Sequence, residues 1–173
     1  MKPHVTNNSG NDEWYTPPHI IEAARATMGL IHLDPASSDK ANSIVQASYY
    51  YTIEENGLCA PWIGNVWLNP PYSRGKILPF AEKLVAEVEN KHVKQACVIV
   101  NNATETKWFQ RILSVSSAVC LLKGRVKFLD CTLQPKKTPL QGQAVLYVGP
   151  EWWDFTTNFA RYGAILHHIG ENQ

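Results

Sequence analysis

Short continuous apolar runs alternate along this chain with stretches in which apolar residues recur every three or four positions. The runs at 30–33, 66–68, 96–100, 118–122 and 143–148 have strand length, and 124–129 reads as a further strand. Residues 96–100 (Ala-Cys-Val-Ile-Val) are apolar throughout, the pattern of a strand buried on both faces. Helical spacing appears at 19–28, with Ile20, Ile21, Ala24 and Met28 on one side, and at 77–88, with Ile77, Phe80, Ala81, Leu84 and Val88. Thr16 is placed to cap the first of these, with Pro17 at its first position and Gly29 ending it. A third helix is expected at 106–113, and Phe155, Phe159, Tyr162 and Leu166 mark a closing one. From 36 to 64 the pattern is irregular and reads as short strand fragments and functional loop. Strands alternating with helices predict an α/β domain around a mostly parallel sheet.

Two of the strands stop at a polar residue followed by proline. Val66-Trp67-Leu68 runs into Asn69-Pro70-Pro71-Tyr72, and Leu30-Ile31-His32-Leu33 into Asp34-Pro35. Proline donates nothing to a ladder, so each strand ends there. In open α/β sheets the carboxyl ends of the strands are where ligands bind. Asn69, Tyr72 and Asp34 would therefore gather at one edge, with Trp14 and Tyr15 closing over it.

Composition narrows this only modestly. A chain of 173 residues, 45% apolar and 18% charged, suits one soluble domain, expected over 11–173 behind a flexible polar tail at 1–10. No apolar run reaches membrane-spanning length and the first residues lack a signal-peptide core, so the expected place is the cytosol. The four cysteines form no Cys-x-x-Cys pair, and Cys97 and Cys120 fall in apolar runs, which suggests buried thiols. Six histidines show no metal-type spacing, and His167-His168 reads as a helix terminus, so no metal is expected. A net charge of +1 does not announce a nucleic-acid partner. The local distribution is more suggestive: Arg74 and Lys76 follow the Asn-Pro-Pro-Tyr stretch, and Lys123, Arg125, Lys127, Lys136 and Lys137 cluster later. Scattered solvated charge explains these equally well.

Five elements appear in order along nearly the whole chain: Glu13-Trp14-Tyr15-Thr16-Pro17-Pro18, Leu33-Asp34-Pro35-Ala36-Ser37, Asn56-Gly57-Leu58 with Trp62, Trp67-Leu68-Asn69-Pro70-Pro71-Tyr72, and Gly124-Arg125-Val126-Lys127-Phe128. In them the chain resembles the amino-group DNA methyltransferases that use S-adenosylmethionine, and more narrowly the phage-type DNA N6-adenine methyltransferase (Dam) family. The resemblance implies a single-domain, Rossmann-like methyltransferase fold and methyl transfer to the exocyclic amine of an adenine flipped out of double-stranded DNA. Catalysis would rest on Asn69, Pro70 and Tyr72. Hydrogen bonds from the amine to the Asn69 side-chain oxygen and the Pro70 carbonyl would favour a more tetrahedral nitrogen and offset its growing positive charge. Tyr72 would stack on the purine.

The same resemblance assigns S-adenosylmethionine to Trp14, Thr16, Pro17, Asp34, Ala36, Ser37, Asn56, Leu58 and Asn69, with Asp34 near the methionine ammonium. Many methyltransferases carry a glycine-rich turn after the first strand; here Ala36 and Ser37 stand in its place. Glu54 and Glu55 lie in the region that meets the cofactor ribose, although a solvated turn suits them as well. Pro71, Tyr72, Arg74, Lys76, Arg125, Lys127, Phe128, Lys136 and Lys137 would face DNA, the last two on a hairpin loop at 133–140. Phage resemblance suggests a role against host restriction. The competing readings are a nucleic-acid-binding module that keeps the fold without catalysis, and a methyltransferase acting on RNA or on a glutamine amide in a protein. The motif recognises an NH2 group on a planar carbon in each of these. Intact Asn69, Pro70, Tyr72 and Asp34 argue against lost catalysis. Neither the target sequence nor the oligomeric state is legible.

Overall fold

The apolar runs become the interior of one sheet. The computed structural model describes residues 14–73, 75–135 and 141–167. Among these the elements follow as α1 (Pro18–Met28), β1 (Leu33–Asp34), α2 (Asp39–Val45), β2 (Tyr49–Tyr50), β3 (Gly64–Leu68), α3 (Ile77–Glu89), β4 (Val93–Asn101), α4 (Lys107–Ser114), β5 (Ala118–Leu122), β6 (Gln143–Val148), α5 (Trp152–Phe159) and β7 (Gly163–His167). The strand order is β2-β1-β3-β4-β6-β5-β7. The pairs of β1 with β2, β1 with β3 and β3 with β4 are parallel, whereas β6 runs against both β4 and β5, and β7 against β5. Strands β1 to β5 thus share one direction, which only β6 and β7 oppose. The result is the expected α/β domain, a mixed sheet compatible with the Rossmann-like fold that the resemblance implies. From β1 the chain steps outward to β2, then returns to lay β3 on the other side of β1. That reversal opens a crevice between the carboxyl ends of β1 and β3.

Strand alternation divides the core into two layers. Trp67 of β3 and Cys97 and Ile99 of β4 face α1 and α5, where they meet Ile20, Ile21, Phe155 and Phe159. Val66, Leu68, Val98 and Val100 face α3 and α4, against Phe80, Leu84 and Ile112. A sheet covered on both faces needs apolar residues at consecutive positions, which is why these strands read as runs rather than alternations. Cys97 and Cys120 are buried free thiols; burial pushes the Cys120 thiol up to about 12 and the Cys97 thiol up as well, which removes both as nucleophiles.

Several sequence expectations need correction. The segment at 124–129 joins no ladder; its sheet-like contacts are two isolated antiparallel bridges, from Leu129 to Tyr15 and from Leu129 to Pro135. Both edges of β6 are already taken by β4 and β5, and the Val126 N–H is instead satisfied by the Gln143 side-chain oxygen at 3.0 Å. The closing helix stops at Phe159, and the chain turns to form β7, so Leu166 lies on a strand and His167 at a strand end. Gly163 permits that turn, because a Cβ there would stand 2.0 Å from the Leu121 carbonyl oxygen. Helix α1 starts at Pro18 with Pro17 as its cap residue, and Thr16 forms no cap. In the stretch read as irregular, Ser38 caps α2 by accepting from the Ala41 N–H at 3.1 Å. The tail at 1–10, Arg74, Lys136, Lys137 and His168 lie outside the described residues.

Gln143 is the polar tie of the downstream half. It is 1% exposed, accepts from Val126, and donates to Asn101 Oδ1 at 3.2 Å and to the Gln141 carbonyl at 2.8 Å. Gln143→Leu strands the Val126 N–H and is expected to lower stability by about 2–3 kcal/mol, read as a shifted midpoint with unchanged slope in urea unfolding.

Candidate active site

Leu33 of β1 stands opposite Val66 of β3, so Asp34 and Asn69 emerge side by side at the same edge of the sheet. A cavity of about 470 Å³ opens there. Of the residues singled out from sequence, its walls include Trp14, Thr16, Asp34, Ala36, Ser37, Asn56, Leu58, Asn69, Pro71 and Lys76. Tyr15, Ser38, Ala41, Val45, Tyr51, Thr52, Ile53, Gly57, Trp67, Gly75, Pro79 and Phe80 also line it. Ser38, Ala41 and Val45 belong to or cap α2, and Ser38-Asp39 is the capping signal that marks this helix.

Asn69 has a defined orientation. Its side-chain Nδ2 donates to the Trp14 main-chain carbonyl at 2.7 Å, so Oδ1 points elsewhere and meets no protein donor. The Thr16 and Ser37 hydroxyls are likewise buried without a protein partner. Buried polar atoms in native proteins are ordinarily hydrogen-bonded. Three orphan oxygens from three separate segments, all lining one cavity, mark it as a place for a polar ligand.

Asp34 is 2% exposed, and its Oδ1 accepts from the Ala36 N–H at 3.2 Å. Burial pushes its carboxyl up to about 7, opposed by Ser37 and the Ala36 N–H. The Ser37 hydroxyl itself stands outside hydrogen-bonding geometry with any protein group, so the N–H is the firm contact. A carboxyl in this state is poised to ionise against a cation.

The loop at 56–58 closes the cavity on the β1 side. Gly57 packs so tightly on the turn after β1 that a Cβ would lie 2.0 Å from the Pro35 carbonyl oxygen. The fully buried Trp62 pins it by donating Nε1–H to the Gly57 carbonyl at 2.8 Å. Asn56, at φ 51°, accepts from Leu58 N–H at 3.3 Å. Glu54 and Glu55 are exposed and off the cavity wall, and Glu55 accepts from the Thr52 N–H at 3.0 Å, as a solvated turn would.

Other expected residues stand back from the cavity. Pro17 and Pro70 are buried behind it. Tyr72 packs against the α3-side core and donates its hydroxyl to the Ile99 carbonyl at 3.0 Å. Burial pushes its phenol well above the ordinary range, which rules out proton transfer there at neutral pH. Phe128 is buried edge-on to Trp14, with centroids 6.0 Å apart. Arg125 and Lys127 are exposed while Val126 and Phe128 are buried, so the predicted alternation holds without a ladder. Lys76, which does line the cavity, is exposed just before α3. Among the described residues no group of three or more potential metal ligands occurs, and no helix is long and apolar enough to cross a membrane.

Comparison with known sequences accounts for this arrangement. A family model described as DNA N-6-adenine-methyltransferase (Dam) matches residues 4–159. The chain belongs to that family. The Dam match takes in every cavity-lining residue and ends with α5. A curated relative, the DNA N-6-adenine-methyltransferase of Escherichia phage T1, is 34% identical over 106 residues. That alignment covers 60% of this chain and 42% of the relative, so this chain spans less than half the length of that Dam protein.

Asp34 carries a stability consequence. Its pKa is about 7 folded against 3.8 ordinarily, so between these values the folded state holds more protons than the unfolded one. Stability therefore falls as pH rises through that window and stays lowered above it. Asp34→Asn is expected to stabilise the protein by roughly 4 kcal/mol at pH 8 and by well under about 1 kcal/mol at pH 4, as followed by thermal unfolding across pH.

Proposed function

We propose that this chain is an S-adenosylmethionine-dependent DNA adenine-N6 methyltransferase. The observation that carries this reading is the Asn69 amide, whose Trp14 hydrogen bond leaves Oδ1 unpartnered in the same cavity as a buried carboxyl. S-adenosylmethionine, when bound, supplies an electrophilic methyl group on its sulfonium. The residues of the chain do the rest. Asp34 pairs with the amino-acid ammonium, which lowers its own pKa and removes the desolvation penalty. The Thr16 and Ser37 hydroxyls hydrogen-bond the polar end of the same ligand. Ala36, Asn56 and Leu58 border the nucleoside, with Pro17 holding the Trp14–Thr16 segment in place.

On the acceptor side, Asn69 Oδ1 takes a hydrogen bond from the adenine amine; Pro70, whose carbonyl the resemblance pairs with the same amine, stands behind the cavity wall. The amine's lone pair, otherwise delocalised into the ring, is thereby localised toward the methyl group, and the positive charge that develops is offset by an acceptor already in place. Pro71 and Tyr72 shape the ring's seat, and the narrow cavity excludes water from it. An amine inside duplex DNA is out of reach, so the base must be flipped. Arg125 and Lys127, exposed on a segment whose other face is anchored by Val126 and Phe128, contact phosphate, with Lys76, Arg74, Lys136 and Lys137 adding positive charge. The setting is the cytoplasm of a bacterial host.

Two measurements test this. DNA from cells expressing the wild type should contain N6-methyladenine by modification-sensitive sequencing, and Asn69→Ala should remove it, a loss of at least about a hundredfold in turnover. Absence of methylated adenine in the wild type would sink the proposal. Calorimetric titration of S-adenosylmethionine should also weaken about tenfold per pH unit below the Asp34 pKa of about 7 and level off above it. A pH-independent affinity would remove Asp34 from the ammonium site.

A further inference from the structure

We infer that the Trp14 main-chain carbonyl is a positioning group that requires a side-chain N–H donor at position 69, so that asparagine works there and ionised aspartate does not. The inference deepens the methyl-transfer reading and rests on it for the kinetic test alone. A carbonyl oxygen only accepts, and at 2.7 Å it faces the Asn69 amide nitrogen. One half of the amide is thus committed to donating, and the other half, Oδ1, is left as a fixed acceptor in the cavity. The two halves have opposite polarity, so this single bond forbids the flipped amide.

The carbonyl is itself held from outside the cavity. Tyr15, the next residue, exchanges two hydrogen bonds with Leu129, at 3.1 and 2.8 Å. Leu129 leads into a turn in which Asp130 Oδ1 accepts from the Thr132 and Gln134 N–H groups, and the Lys40 ammonium of α2 donates to the Cys131 carbonyl. Residues 129–135 thereby fasten the Trp14 peptide to the body of the domain. The extended segment at 124–129 serves here as a clamp that aims the Asn69 oxygen.

Aspartate is isosteric with asparagine but ionised presents two acceptors, one of them against the Trp14 carbonyl. Protonated, it donates to Trp14 and still offers a carbonyl oxygen to an amine. Asn69→Asp should therefore behave as an acid-requiring version of the same site. Among the described residues, the titratable groups that share the cavity with position 69 are Asp34 at the end of β1, Tyr51 after β2, Lys76 before α3, and Tyr15 beside Trp14. Tyr72, three residues on, is tied to the Ile99 carbonyl of β4. All of them are present in both proteins, so a comparison of variant with wild type cancels their own titration and leaves position 69 with its coupling to Asp34. The nearby Asp34 charge adds to the preference of the introduced carboxyl for its protonated form.

The first test needs no activity. Thermal unfolding of Asn69→Asp and wild type is compared from pH 5.5 to 8.5. A free aspartate is already ionised at the acid end, so the variant should show a deficit there that widens steadily toward the alkaline end until the folded carboxyl ionises; a deficit that is constant with pH overturns the inference. In the wild type, the Asn69 side-chain N–H protons, assigned by their loss in Asn69→Ala, should exchange with solvent about tenfold or more slowly than those of the exposed Asn90. Equal rates would overturn it too. The kinetic test measures single turnover at saturating S-adenosylmethionine and DNA. The rate of Asn69→Asp relative to wild type should rise about tenfold for each pH unit lowered across the alkaline half of the range. Parallel profiles overturn the inference, whereas a wild type that methylates no DNA overturns the proposed reaction and leaves the unfolding and exchange results to decide this one.

Discussion

The parallel pairing of β1 with β3 is the constraint on which the rest depends. Neither strand's end means much alone: a carboxyl before a proline and an amide before two prolines are ordinary ways to leave a sheet. Laid side by side, with Leu33 opposite Val66, they become two walls of one crevice. The reversal of chain direction around β1 makes the gap, and the prolines keep either strand from extending to fill it. Once the gap exists, the segment before α1 and the loop at 56–58 have a place to dock, and the enclosed volume follows from their docking.

Within that enclosure polarity is rationed. Most of the wall is aromatic or aliphatic, and the oxygens of Thr16, Ser37 and Asn69 stand without protein partners. A buried carboxyl in such surroundings works against the fold, since water would solvate its charge better than the protein does. The domain tolerates this because two thick apolar layers on either face of the sheet supply stability elsewhere. A buried carboxyl and unpaired oxygens gathered in one cavity are what a protein selected for binding would show.

The sheet and its cavity were legible to different degrees. Buried central strands announced themselves as apolar runs, and α1, α3 and α4 by their spacing. The Asp34 and Asn69 ends were visible because proline is an unambiguous stop. Helix α2 escaped because Asp39–Val45 buries only Val45 and leaves almost no apolar face to read. The last helix was overextended because Phe155, Phe159, Tyr162 and Leu166 happen to fall at helical intervals, while the turn depends on Gly163 meeting Leu121 from a different strand. Segment 124–129 has the alternation of a strand, but alternation reports only which side is buried, not whether a neighbour has a free edge. The Trp14–Asn69 bond joins residues 55 positions apart through a main-chain atom, and no side-chain pattern could have shown it.

Gly57 fixes one dimension of the cavity. Its hydrogen atom occupies a gap in which any larger substituent would meet the Pro35 carbonyl, and its own carbonyl is tethered to a fully buried indole. The position is bounded on both sides by main chain and core, neither of which yields to a rotamer change. A side chain at 57 would have to lift the whole loop off β1. The width of the cavity on this side is therefore a fixed dimension of the fold, set by main chain and core and not by any side chain free to move.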